Sequence, residues 1–91
     1  MRKIKRLLKD EIIRKILLFF NENPRSIDTV KGISIWVGDD ADRVREGLDR
    51  LVKEGILVSH KAASTSAYSY TNQRDTVKKI EECIKKMAGD S

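Results

Sequence analysis

The sequence predicts a mainly helical chain with one small β-hairpin. Three observations carry this prediction. Residues 39–58, DDADRVREGLDRLVKEGILV, read as an amphipathic helix, a glycine stop and the start of a strand. Residues 3–22 carry apolar side chains at helical spacing. Residues 56–71 lose that spacing and read as a short strand, a small-residue loop and a return strand with two tyrosines.

In chain order, Leu8, Ile12, Ile13, Ile16, Phe19 and Phe20 form a broad core stripe on a helix over 3–22, which can be in two parts. Ile4, Leu7 and Leu18 fall on a second side, as expected of a helix covered by another segment or another chain. Asn23-Pro24 ends it, because a residue before proline avoids the helical region. Arg25-Ser26-Ile27 reads as a short extended piece. Ser26 or Asp28 is the expected cap of a second helix reaching about Val37, with Ile27, Val30, Ile33 and Val37 at helical spacing. Gly32 inside it is expected to mark a close approach of two helices, and Trp36 is expected in the core or a groove wall.

Val37-Gly38-Asp39-Asp40 is a tight turn, and two helices joined this way describe a helix-turn-helix. In the next helix Ala41, Val44, Leu48, Leu51 and Val52 face the core, Asp39 or Asp40 caps the start, and Gly55 ends it. The hairpin follows: a strand over Ile56–Lys61, a loop over Ala62–Ser66 and a return over Ala67–Thr71, with Tyr68 and Tyr70 on one face covering the core. Thr71 or Asn72 starts a last helix to about Ala88. Its seam of Val77, Ile80, Ile84 and Met87 suits packing on the domain or pairing with a second chain. A homodimer is expected to use Ile4, Leu7, Leu18, Ile80, Ile84 and Met87.

Ninety-one residues suit one domain, 1–91, with a single modest core. No apolar run approaches the ~20 residues of a membrane span, and the basic start MRKIKRLLK lacks the pattern of a signal peptide. A cytoplasmic protein is expected. One cysteine, Cys83, is a small core or interface residue. One histidine, one cysteine and no glycine-rich phosphate loop offer no nucleophile–base pair or metal set. The chain is expected not to be an enzyme and to need no cofactor.

The net charge of +5 suggests an anionic partner. The excess sits in residues 1–22, with seven basic against three acidic side chains. Residues 39–54 carry four basic against six acidic.

The order of elements resembles a winged helix-turn-helix domain of the kind found in small prokaryotic transcriptional regulators. ILLFFNENPRSIDTV carries the resemblance for the first helix and the entry to the second. RVREGLDRLVKEGILV carries it for the third helix and first wing strand, through Val44, Leu48, Leu51, Gly55, Ile56 and Leu57. AYSYT matches the returning strand. The resemblance spans about residues 10–72 and implies a three-helix core, a wing of two to three strands and a C-terminal helix over about 72–88.

It also implies double-stranded DNA as partner, with the helix over 41–54 reading the major groove. Asp42, Arg43, Glu46 and Arg50 would then stand nearest the bases. The implied DNA-binding set is Arg43, Arg45 and Arg50 on the helix with Lys61, Ser64, Thr65 and Ser66 on the wing, the wing touching phosphates. Lys5, Arg6 and Lys9 would add backbone contacts. The acidic balance of the third helix supports an alternative, a winged-helix module that binds a protein partner and no DNA.

Overall fold

A computed structural model describes residues 2–89; Met1, Asp90 and Ser91 at the chain ends lie outside the described residues. The elements are α1 (Arg2–Leu8), α2 (Glu11–Glu22), β1 (Ile27–Thr29), α3 (Val30–Val37), α4 (Ala41–Lys53), β2 (Leu57–Ala62), β3 (Thr65–Tyr70) and α5 (Arg74–Gly89). The three strands form one antiparallel sheet in the order β1-β3-β2. This is the predicted class: a helical core, a small winged sheet and a closing C-terminal helix.

The first helix divides at Asp10. Its carboxylate accepts from the backbone N–H of Ile12 (2.9 Å) and of Ile13 (3.3 Å), two donors that the first turn of α2 leaves free. The turn lets α1 fold back against α2 and α5. Ile4, Leu7 and Leu8 are buried there with Ile80 and Cys83. The Lys3 ammonium also reaches the Glu54 carboxylate beyond α4 and holds it below its ordinary pKa.

This packing corrects half of the expected dimer seam. Ile4, Leu7 and Ile80 are taken up inside the protomer, where the second apolar side of the first helix meets α5. Leu18 and Ile84 remain half-buried and Met87 exposed, together lining a shallow hollow of about 270 Å³ with Arg14.

β1 forms where a short extended piece is expected, shifted to Ile27–Thr29. It pairs with β3 in the register Ile27↔Ser69, Asp28↔Tyr68 and Thr29↔Ala67, so the wing sheet has three strands. Thr29 caps α3, in place of the expected Ser26 or Asp28, by accepting from the Gly32 N–H at 3.2 Å. Ile27 consequently lies on the sheet's outer face, 63% exposed, in a row with Ser69 and Val58.

The helix-turn-helix closes as the sequence predicts. Gly38 leaves α3 with φ 72° and its N–H donates to the Ser34 carbonyl. Asp40 then caps α4 by accepting from the Arg43 N–H. Gly55 leaves α4 with φ 77°. Its N–H donates to the Val52 carbonyl and that of Ile56 to the Leu51 carbonyl, the paired bonds of a Schellman stop. That stop aims Ile56 and Leu57 into the core at the root of the wing. The hairpin turn is tighter than expected. Only Ala63 and Ser64 lie between the strands, because the Ala62↔Thr65 pair carries the ladder to the tip.

The core runs from α1 through α2, α3 and α4 to Tyr68 and Tyr70 beneath the sheet. Ala41, expected to face it, is exposed at the start of α4. The close helix approach falls on Gly47 of α4, not on Gly32. A Cβ at Gly47 would lie 2.9 Å from Ile16 Cδ1 and 3.3 Å from Ile12 Cγ2, both on α2, whereas one at Gly32 would collide with the Asp28 carboxylate. Gly47→Val is expected to lower stability by about 1–3 kcal/mol through overpacking, read as a lower urea midpoint. An unchanged midpoint would mean that α2 and α4 are not in contact here.

Candidate nucleic-acid interface

Three elements converge on an open cleft of about 630 Å³. The first turn of α3 supplies Thr29, Val30 and Lys31; α4 supplies Arg45 and Asp49; and the wing supplies Lys61, Ser64, Thr65, Ser66 and Tyr68. The β1–β3 pairing brings the start of α3 beside the wing. The turn at Gly38 then swings α4 across to form the opposite wall.

Five of the seven residues expected at the interface therefore meet: Arg45, Lys61, Ser64, Thr65 and Ser66. The cleft holds three cationic side chains against one carboxylate. Lys31, Arg45 and Lys61 make no ion pair among the described residues. Sequence reasoning misses Lys31, because nothing local marks β1 as a partner of the return strand.

Arg43 and Arg50 lie on the other flank of α4. They line a separate hollow of about 200 Å³ with Asp10, Ile12, Ile13, Glu46 and Gly47. Arg43 Nη1 also stands 3.5 Å from Asp39 Oδ1, an exposed (i, i+4) pair, a type usually contributing ~0.3–0.5 kcal/mol. Between the two basic flanks runs the outermost line of the helix, Asp42, Glu46, Asp49 and Lys53, all exposed. The acidity of α4 is thus concentrated on its leading edge, with arginines to either side. Asp39 and Asp40 are engaged at the turn, one by Arg43's guanidinium and the other by its N–H.

Lys5 and Lys9 sit beside Leu8, Cys83, Lys86 and Met87, where α1 meets the end of α5. Neither they nor Arg6 line the α4–wing cleft. The supporting phosphate contacts expected of these three residues would fall outside that cleft, since α1 folds back toward α5.

The tyrosines divide their tasks. Tyr68 Oη donates to Asp49 Oδ1 at 2.9 Å, a bond between wing strand and α4. Desolvation, and then the Asp49 carboxylate, push the Tyr68 phenol above its ordinary pKa. Tyr70 is buried against Phe20, ring centroids 5.9 Å apart, and burial raises its phenol further. On the outer sheet face His60 Nε2 and Ser69 Oγ are 2.7 Å apart. Trp36, expected in the core or a groove wall, is 48% exposed on α3, with one edge against Phe19. Beside it Ile35 is 72% exposed.

A helix-turn-helix followed by a paired wing, with a cationic cleft between them, defines a winged helix-turn-helix fold. No protein-family model and no curated protein matches the chain. Among solved structures it is similar to a protein described as "Possible transcriptional regulator" from Methanosarcina mazei Go1, with a TM-score of 0.69 and 17% identity, over 96% of this chain and 80% of that one. At that identity the likeness concerns the fold. Among the described residues no helix is long and apolar enough to cross a membrane.

Proposed function

We propose that the chain is a cytoplasmic winged-helix DNA-binding protein that acts as a transcriptional regulator. The observation that carries this reading is the cleft between α4 and the wing. Lys31, Arg45 and Lys61 meet there free of ion pairs among the described residues, with the hydroxyls of Ser64, Thr65 and Ser66 beside them. Such a set suits a phosphate backbone, which accepts hydrogen bonds and carries charge but no sequence. With the backbone in the cleft, α4 enters the major groove, and Arg43 and Arg50 on its far flank meet the opposite wall. The name of the Methanosarcina mazei neighbour agrees with such a role.

Titration of duplex DNA at several salt concentrations tests the reading. Binding is expected to weaken linearly in the logarithm of salt, with a slope near −0.9 per neutralised phosphate. Alanine at Lys5, Arg6 and Lys9 is expected to leave that slope unchanged. Absence of binding at low salt would overturn the reading.

A second reading, a module that docks a protein, draws on the acidic leading edge of α4 and on exposed Ile35 and Trp36. It predicts a stoichiometric protein partner and no duplex binding. A homodimer belongs to the first reading, now through Leu18, Ile84 and Met87 alone. Sedimentation equilibrium is expected to give a dimer that Met87→Lys converts to monomer, and a monomeric unaltered protein would remove that part.

A further inference from the structure

Asp49 behaves unusually for a helix carboxylate with cations on both sides. Arg45 lies four residues before it and Lys53 four residues after, the spacing at which helix ion pairs form. It pairs with neither among the described residues. Its Oδ1 instead accepts from the Tyr68 hydroxyl at 2.9 Å. Tyr68 is 4% exposed, its ring anchored under the sheet, so the phenol is a stiff post. The bond engages Oδ1, and among the described residues no hydrogen bond or ion pair engages Oδ2 of this exposed, cleft-lining side chain.

A fixed carboxylate weakens any site meant only for phosphates, because like charges repel. It serves a site that must recognise hydrogen-bond donors. In the major groove the donors are the amino groups of cytosine and adenine. Adenine also presents the N7 acceptor beside its amino group, which an ionised carboxylate cannot satisfy; cytosine presents the amino group without it.

We propose that Asp49, held in place by Tyr68, is a specificity-determining residue that accepts a hydrogen bond from the amino group of a cytosine in the major groove. This rests on the DNA-binding reading above. Tyr68 is the positioning residue. It carries no charge at neutral pH and lies behind the carboxylate.

Selection from a pool of randomised duplexes, with the bound fraction sequenced, tests the proposal. The unaltered protein is expected to enrich cytosine about tenfold at one position. Asp49→Asn is expected to move that preference to adenine, since a carboxamide both donates and accepts, and its oxygen can still accept from Tyr68. Tyr68→Phe is expected to reduce the cytosine preference severalfold while the salt slope stays unchanged, because no charge is removed. A merely structural bond would lower the melting temperature of Tyr68→Phe and leave the base preference where it was in both variants; that outcome overturns the proposal. Duplex binding without any cytosine preference also overturns it and leaves the DNA reading intact. Failure of the unaltered protein to bind any duplex at low salt overturns both.

Discussion

Phe20→Ala is expected to lower the free energy of unfolding by about 3–5 kcal/mol. Phe20 has no exposed surface and sits where α2 meets the underside of the sheet. Its ring packs edge-on to Phe19, centroids 5.0 Å apart, and against Tyr70 at 5.9 Å. Truncation removes buried apolar surface and leaves a void between rings that cannot close around it. A domain of this size holds about 5–10 kcal/mol in total, so a loss of that order brings it close to unfolding at ambient temperature. Urea denaturation followed by circular dichroism reads the effect. A loss below about 1 kcal/mol would contradict the junction of helical core and wing at Phe20.

Arg45→Ala combined with Lys61→Ala is expected to reduce the salt slope of duplex binding by about 2, one unit for each phosphate no longer neutralised. Both residues line the cleft, one from α4 and one from β2. Neither supports the fold through an ion pair among the described residues. Stability is therefore expected to change little, which separates the effect on binding from one on folding. Weakening must be largest at low salt, where electrostatic attraction to phosphates dominates. An unchanged slope would remove the cleft from the interface and point instead to Arg43 and Arg50 on the other flank.

Much of this architecture is legible in the residues alone. The stripe of Val44, Leu48 and Leu51, the cap at Asp40 and the stop at Gly55 each follow from local physical chemistry. Helical periodicity, capping and a left-handed glycine all act within a few residues of chain. The tyrosine pair of the wing is legible for the same reason, since alternate strand residues share a face. Local reasoning fails where a distant segment decides the outcome. Ile4, Leu7 and Ile80 have the pattern of a surface seam, but α1 folds back at Asp10 and meets α5. Ile27 has helical spacing, but β3 supplies a partner for β1. Gly32 and Gly47 are both glycines within helices, and only the position of α2 reveals that Gly47 is the one pressed by a neighbour.

The interface divides in the same way. Residue identity alone sets which charges α4 carries: arginines at 43, 45 and 50, and acids at 42, 46 and 49. It also sets that a hydroxyl-bearing wing follows. Which of these groups meet is a matter of tertiary packing. Arg45 faces the wing and Lys31 joins it from α3, while Arg43 and Arg50 turn toward α2 and Lys5 and Lys9 lie beside α5. Helical spacing sets the angle of each side chain about its own axis. What stands opposite depends on packing partners many residues away, and the Tyr68–Asp49 bond, across nineteen residues of sequence, has no local signal at all.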